Sequence, residues 1–237
     1  MNKVPLMPVL AAALFAAACK DATTVDPRAQ VRFFNATTGM TGNGGFTTNG
    51  QFAGGSALAS GQWAQTCARI DAGATTFGFG AANAAGTGVS GAPLATLSDQ
   101  SITDGRDLMV VATGSAASPQ LFLFDNNFSG QLGANQVAVR FVNLAPGTDA
   151  GNTYVAFKGA VGLTPPIALN IAVVAPTPFL TMESGSNEFS ILKLPGHLVV
   201  IEGTAGTLNL QARTFNTLAI LPNSSDGFEL VNLPRCS

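Results

Sequence analysis

The stretch Val31-Arg32-Phe33-Phe34-Asn35 returns far down the chain as Val139-Arg140-Phe141-Val142-Asn143, with four of five residues identical. Recurrence at this distance marks two copies of a whole domain, because solenoid units repeat about every 20 to 50 residues. The residues alternate as on a strand, so Val31, Phe33 and Asn35 share one face while Arg32 and Phe34 share the other. An arginine on such a strand can lay its methylenes along the sheet and hold its guanidinium at the edge. An asparagine at the strand's end suits a turn, where its side chain bonds nearby backbone. Both roles are structural; ligand binding by Arg32 or Arg140 is the alternative.

A second correspondence sets Asp104-Gly105-Arg106-Asp107-Leu108 over Asp226-Gly227-Phe228-Glu229-Leu230, at a longer offset than the first, which implies extra residues in the middle of the second copy. Between these anchors the chain is a run of short apolar segments split by Gly, Pro, Asn and Asp. Strands are expected at 30–35, 62–70, 75–79, 108–113 and 120–124, then at 136–144, 153–158, 167–174, 188–193, 198–202, 208–214 and 228–233. Such punctuation, with no sustained helical period after the N-terminus, predicts an all-β chain of sandwich modules. The segment 128–136 is the expected boundary, which places the first module at 29–133 and the second at 134–237. The glycine-rich stretches 41–55 and 78–91 read as long mobile loops, since neither has the Lys-Ser/Thr ending of a phosphate cradle.

Before the first copy, Lys3 precedes an uncharged apolar run from Val4 to Ala18. That is the layout of a secretory signal, and the run is shorter than the roughly 20 residues of a membrane-crossing helix. Ala16-Ala17-Ala18-Cys19 resembles the lipobox of bacterial lipoproteins, although Ala16 stands where Leu is common. The resemblance implies a signal at 1–18, lipidation of Cys19, a tether at 19–28 and attachment to a membrane through the acyl chains; Lys20 favours the outer membrane over the inner. The alternative is an ordinary cleaved signal with a chance cysteine.

Removal of Lys3 with the signal leaves 10 of the 11 basic residues against 13 acidic ones, a formal charge of −3. Nucleic acid is thereby excluded as a partner, since neutralising phosphates takes a basic face. With Cys19 given to lipid, Cys67 and Cys236 remain, and in an exported protein two such thiols are expected to pair.

Residues able to do chemistry are sparse. His197 is the only histidine, Ser186 lacks a nucleophile elbow, and one histidine with two paired cysteines makes no zinc site. Asp125-Asn126-Asn127 offers oxygen atoms, but without the spacing of a calcium loop it reads as a strand-ending turn. Trp63 is expected in the core near Cys67; an exposed platform for a sugar ring is the alternative. No metal and no cofactor is called for.

The segment VRFVNLAPGTDAGNTYVAF in the second copy, and DLMVVATG with LFLFDNN in the first, resemble the DUF4397 family of exported bacterial domains. Each copy matches only in part. The resemblance implies immunoglobulin-like or transthyretin-like sandwiches and brings no catalytic residues. The expected role is that of a non-enzymatic, lipid-anchored envelope protein with a binding, adhesion or structural function, its partner a glycan or an envelope protein. A hydrolase acting on an envelope polysaccharide or other polymer is the alternative.

Overall fold

The computed structural model describes residues 27–144, 153–159, 166–171, 174–194, 200–222 and 228–236. Cys19, Lys20 and His197 lie outside them. The described residues form strands and no helix, in four sheets.

The first copy contributes β1 (Ala29–Thr38), β2 (Gly44–Thr48), β3 (Gln51–Leu58), β4 (Gln62–Trp63), β5 (Ala68–Ile70), β6 (Gly73–Ala81), β7 (Ala95–Ile102), β8 (Asp107–Ser115) and β9 (Ser118–Asp125). The second contributes β10 (Gln136–Asn143), β11 (Thr153–Lys158), β12 (Pro166–Ile171), β13 (Leu180–Glu183), β14 (Gly185–Leu194), β15 (Val200–Leu210), β16 (Phe215–Pro222) and β17 (Phe228–Leu233).

One topology is built twice. In the first copy an outer sheet of order β3-β2-β6-β7 faces an inner sheet of order β4-β1-β8-β9, with β5 also on β1. In the second copy β12-β11-β14-β15 faces β13-β10-β16-β17. Each inner sheet carries one parallel pair, β1 with β8 and β10 with β16, and is otherwise antiparallel. This order is compatible with the immunoglobulin-like or transthyretin-like sandwich that the family resemblance implies.

Alternation along β1 and β10 explains why the repeated phrase is apolar on both faces. Val31 and Phe33 enter the core between the first two sheets, against Phe46, Phe77, Phe79 and Val110. Val139 and Phe141 do the same in the second copy, against Tyr154, Phe189 and Leu218. The opposite faces meet each other: Phe34, Met109, Val111 and Phe124 pack on Val142, Ala219, Leu221 and Leu233. The inner sheets are therefore covered on both sides, and the order of layers is outer, inner, inner, outer. A strand buried on both faces needs a near-continuous apolar run.

The register corrects the sequence alignment. Val31 pairs with Leu108, and Val139 pairs with Asn216. The step from Val31 to Val139 equals the step from Leu108 to Asn216, so β16 is the counterpart of β8, and the second copy holds no net insertion between these strands. The Asp-Gly match instead sets the start of β8 over the start of β17, and so leaves β16 without an expected strand.

The glycine-rich stretches are also not the expected loops. Residues 41–55 contain the β2–β3 hairpin, which turns at Asn49-Gly50 with φ of 49° and 78°. Positive φ at both positions matches the twist of the flanking strands, and Asn-Gly adopts it readily. Residues 78–91 begin inside β6 and continue through a bridge between Ala82 and Val89. Glycine is required at Gly44, where a Cβ would collide with the Phe79 ring. The segment 62–70 is likewise broken into β4 and β5, and 198–202 joins with part of 208–214 to make β15.

Phe34 is fully buried in the layer shared by the two copies. Phe34→Ala should cost about 3–5 kcal/mol by removing ring contacts from that layer. Calorimetry should show one unfolding transition for the wild type, because neither inner sheet is covered on both faces without the other.

Candidate functional site

Polar residues inside the shared layer form one connected seam. Asp107, at the start of β8, is 7% exposed and pairs with Arg235 at 2.9 Å. The Asn126 amide donates to Asp107 at 3.5 Å, and its oxygen accepts from Arg140 Nη2 at 2.9 Å. Arg140 Nε donates to Thr217 Oγ1 at 2.9 Å, and its guanidinium lies 4.7 Å from the centre of the Phe179 ring. Thr113 adds a direct tie between the copies by donating to the Leu144 carbonyl at 2.9 Å.

Arg140 is thus buried at 7% exposure and does not reach a solvent edge as its strand position suggested. Its partner Asn126 comes from the end of the first copy, which no local pattern reveals. Arg32, its counterpart, donates to the Ala64 carbonyl at 2.8 Å and to the Arg235 carbonyl at 2.9 Å. The repeated arginines hold the two copies together by hydrogen bonds. The repeated asparagine is not in the expected turn at Asn35, which lies buried within β1, but it makes the expected bond to backbone two residues on: its oxygen accepts from the backbone and hydroxyl of Thr37, and its amide donates to the Leu58 carbonyl.

Cys67 and Cys236 form a disulfide, with Cα atoms 5.9 Å apart and a sequence separation of 169. It ties the segment between β4 and β5 to the strap that follows β17. The strap is held a second time by the Arg235–Asp107 pair and a third time by Arg32 on the Arg235 carbonyl. Arg235 also lies over Phe215, 3.3 Å from the ring centre, and Phe215 contacts Phe128 and Phe179. A cation stacked on a ring and paired with a carboxylate is immobilised from two sides.

Burial sets the electrostatics. Desolvation pushes the Asp107 carboxyl above the usual range, and this outweighs the opposing pull of Arg235, Asn126 and the Cys236 backbone N–H. Burial lowers the Arg140, Arg235 and Arg32 guanidiniums, opposed in each case by Asp107 and for Arg140 first by Asp125.

The other sequence candidates separate. Asp125 accepts from the Asn127 backbone at 2.9 Å and from its amide at 2.7 Å, and pairs with Arg106 at 3.0 Å. That is a closed turn whose oxygen atoms are already engaged. Among the described residues no group of three or more His, Cys, Asp or Glu comes together. Ser186 is exposed on β14. Trp63 is half-buried against the shared layer, 6.4 Å from Phe34, and so packs between the copies instead of inside one core.

Grooves on the second copy include two that the described residues line. One, of about 350 Å³, is apolar and runs from Ile167 and Leu169 to Pro176, Pro178 and Leu180. The other, of about 370 Å³, lies beside the strap and is lined by Asn209, Gln211, Asn216 and Asn232 together with Phe215 and Arg235. Sequence reasoning does not single out this second set, whose members are spread along the chain.

Reducing the disulfide should lower stability by roughly 2–5 kcal/mol, since a long closed loop is released in the unfolded chain. Asp107→Asn, a neutral side chain of the same shape, should change stability little at neutral pH, because desolvation of the carboxylate outweighs the pull of Arg235. The folded state holds the Asp107 proton more tightly than the unfolded chain does. Its contribution to stability is therefore smallest above the folded pKa and grows as pH falls through it towards the ordinary carboxylate range. Denaturant melts across that interval should show this slope in the wild type and not in Asp107→Asn. No protein-family model matches the chain, and no curated protein matches it.

Proposed function

We propose that this chain is an exported, lipid-anchored envelope protein whose two fused sandwiches serve a non-catalytic binding, adhesion or structural role. The observation that carries the reading is the Cys67–Cys236 disulfide, a bond that persists in oxidising compartments and is rare in reducing ones. It agrees with the signal layout at 1–18 and with Cys19 as the acylated residue. The lipid would hold the chain at a membrane, on the periplasmic or cell-surface side, through the tether at 19–28. The DUF4397 resemblance points the same way.

The use of charge supports a non-catalytic role. Asp107, the carboxylate with the raised pKa, is consumed in holding the strap between the copies. A stack of four sheets welded through its middle is suited to presenting surfaces at a fixed spacing. The partner is an envelope glycan or protein, and nucleic acid does not fit a mature chain of net negative charge.

Cys19→Ser should leave an unprocessed precursor, with mature protein entering the detergent phase only in the wild type. Normal processing of the variant would overturn the lipid anchor. A general hydrolase screen on the mature protein should find no turnover of envelope polymers, and robust turnover would overturn the non-catalytic reading.

A further inference from the structure

The two copies serve as controls for one another, and they differ at one end of the sandwich. On the inward face of the first inner sheet, Leu108 is buried in the apolar core and the partly buried Leu123 packs against it. Because Val31 pairs with Leu108 as Val139 pairs with Asn216, position 216 is the counterpart of Leu108. Because Val110 pairs with Leu123 as Leu218 pairs with Asn232, position 232 is the counterpart of Leu123. Asn216 and Asn232 thus stand on the inward face where the sister copy has leucines. Amides in place of one core leucine and one packed against the core sacrifice apolar burial. Departures of this kind from the folding pattern concentrate where a site is maintained.

The amides are arranged and not merely tolerated. Asn232 Nδ2 donates to Asn216 Oδ1 at 2.8 Å, Asn216 Nδ2 to Thr214 Oγ1 at 3.1 Å, and Thr214 Oγ1 to the Gln211 carbonyl at 2.7 Å. Each asparagine keeps hydrogen-bonding capacity after these bonds, since an amide offers two donors and a two-pair acceptor. They line the groove of about 370 Å³ beside the strap, where Asn209 and Gln211 add exposed amides and Pro234 and Phe215 add apolar surface. The volume falls in the range of small-ligand sites, about 300–1,000 Å³. Among the described residues Arg235 is the only charged one in the lining, and its charge is met by Asp107.

We infer that this groove is a binding site for a neutral glycan. Such a ligand has hydroxyls that both donate and accept, which fixed amides match, and apolar C–H faces that suit Pro234 and Phe215. A charged ligand would meet no free counter-charge in the described lining. The disulfide and the Arg235–Phe215 stack hold the groove in shape before binding, which reduces the ordering cost. The inference rests on the binding role proposed above and assigns it a place and a ligand class.

The test uses the full chain in detergent and a panel of neutral cello-, chito-, malto- and xylo-oligosaccharides, with oligogalacturonate and a sulfated glycan as charged members. Titration calorimetry should detect at least one neutral member. Asn209→Ala with Gln211→Ala should weaken that binding about tenfold or more, with an unchanged thermal midpoint. Asn216→Leu with Asn232→Leu, the residues of the first copy, should abolish binding and raise the midpoint. Absence of binding by every neutral member, or stronger binding by the charged members, overturns the inference. Neutral binding that both variants leave intact overturns the groove as its place and leaves the binding role standing. Failure of the anchor test at Cys19 bears on the envelope reading alone. If the leucine variant does not fold, the exposed-amide variant decides.

Discussion

The contact on which the rest of this structure depends is the face-to-face packing of the two inner sheets. Phe34, Met109 and Val111 from one copy and Val142, Ala219 and Leu221 from the other are all nearly or fully buried. Without it each inner sheet would expose an apolar face, because its strands carry large side chains on both sides. Removing that surface from water is the dominant favourable term, at about 25 cal/mol per Å². The copies are consequently two in topology and one in packing.

Apolar packing alone does not set how two twisted sheets are rotated or shifted. Directional bonds do, and the seam through the layer supplies them: Asp107 with Arg235, Asn126 with Arg140, and Thr113 with the Leu144 carbonyl. Three buried or half-buried guanidiniums lie near Asp107, which pairs directly with Arg235; carbonyls, an amide, a hydroxyl and aromatic rings meet other donors of the three, while Nε of Arg32 and Nε of Arg235 are buried without a hydrogen-bond partner. Such a network adds more to uniqueness of packing than to net stability, since desolvation offsets much of the attraction. The disulfide then closes the assembly from its far end.

The two copies have different duties at equivalent positions. Asp107 corresponds to Phe215, and Arg235 touches both. Leu108 and Leu123 close one sandwich, while Asn216 and Asn232 open the other onto a groove. The same strands thus support a sealed end and a polar one, and the difference lies in these two pairs of side chains.

Much of the architecture was legible in the residues, and the reason is periodicity. Alternation in β1 and β10 marks strands buried on both faces, and recurrence of the Val-Arg-Phe phrase marks two copies. Reading 1–18 as an export signal and Cys19 as its lipidated residue leads to the expectation that Cys67 and Cys236 pair, and these two form a disulfide. The β2–β3 hairpin was legible too, in Asn49-Gly50, but the glycine content masked it. The tertiary structure alone decided which turn of the second copy matches which of the first, because an Asp-Gly dipeptide is common and a hydrogen-bonded register is not. It alone decided that Arg140 is buried, since its partner Asn126 belongs to the other copy. And it alone assembled the amide groove, whose residues come from β15, β16, β17 and the strap. Local sequence carries the direction in which a side chain points from its strand; what it meets there depends on chain segments that only the packed sheets bring together.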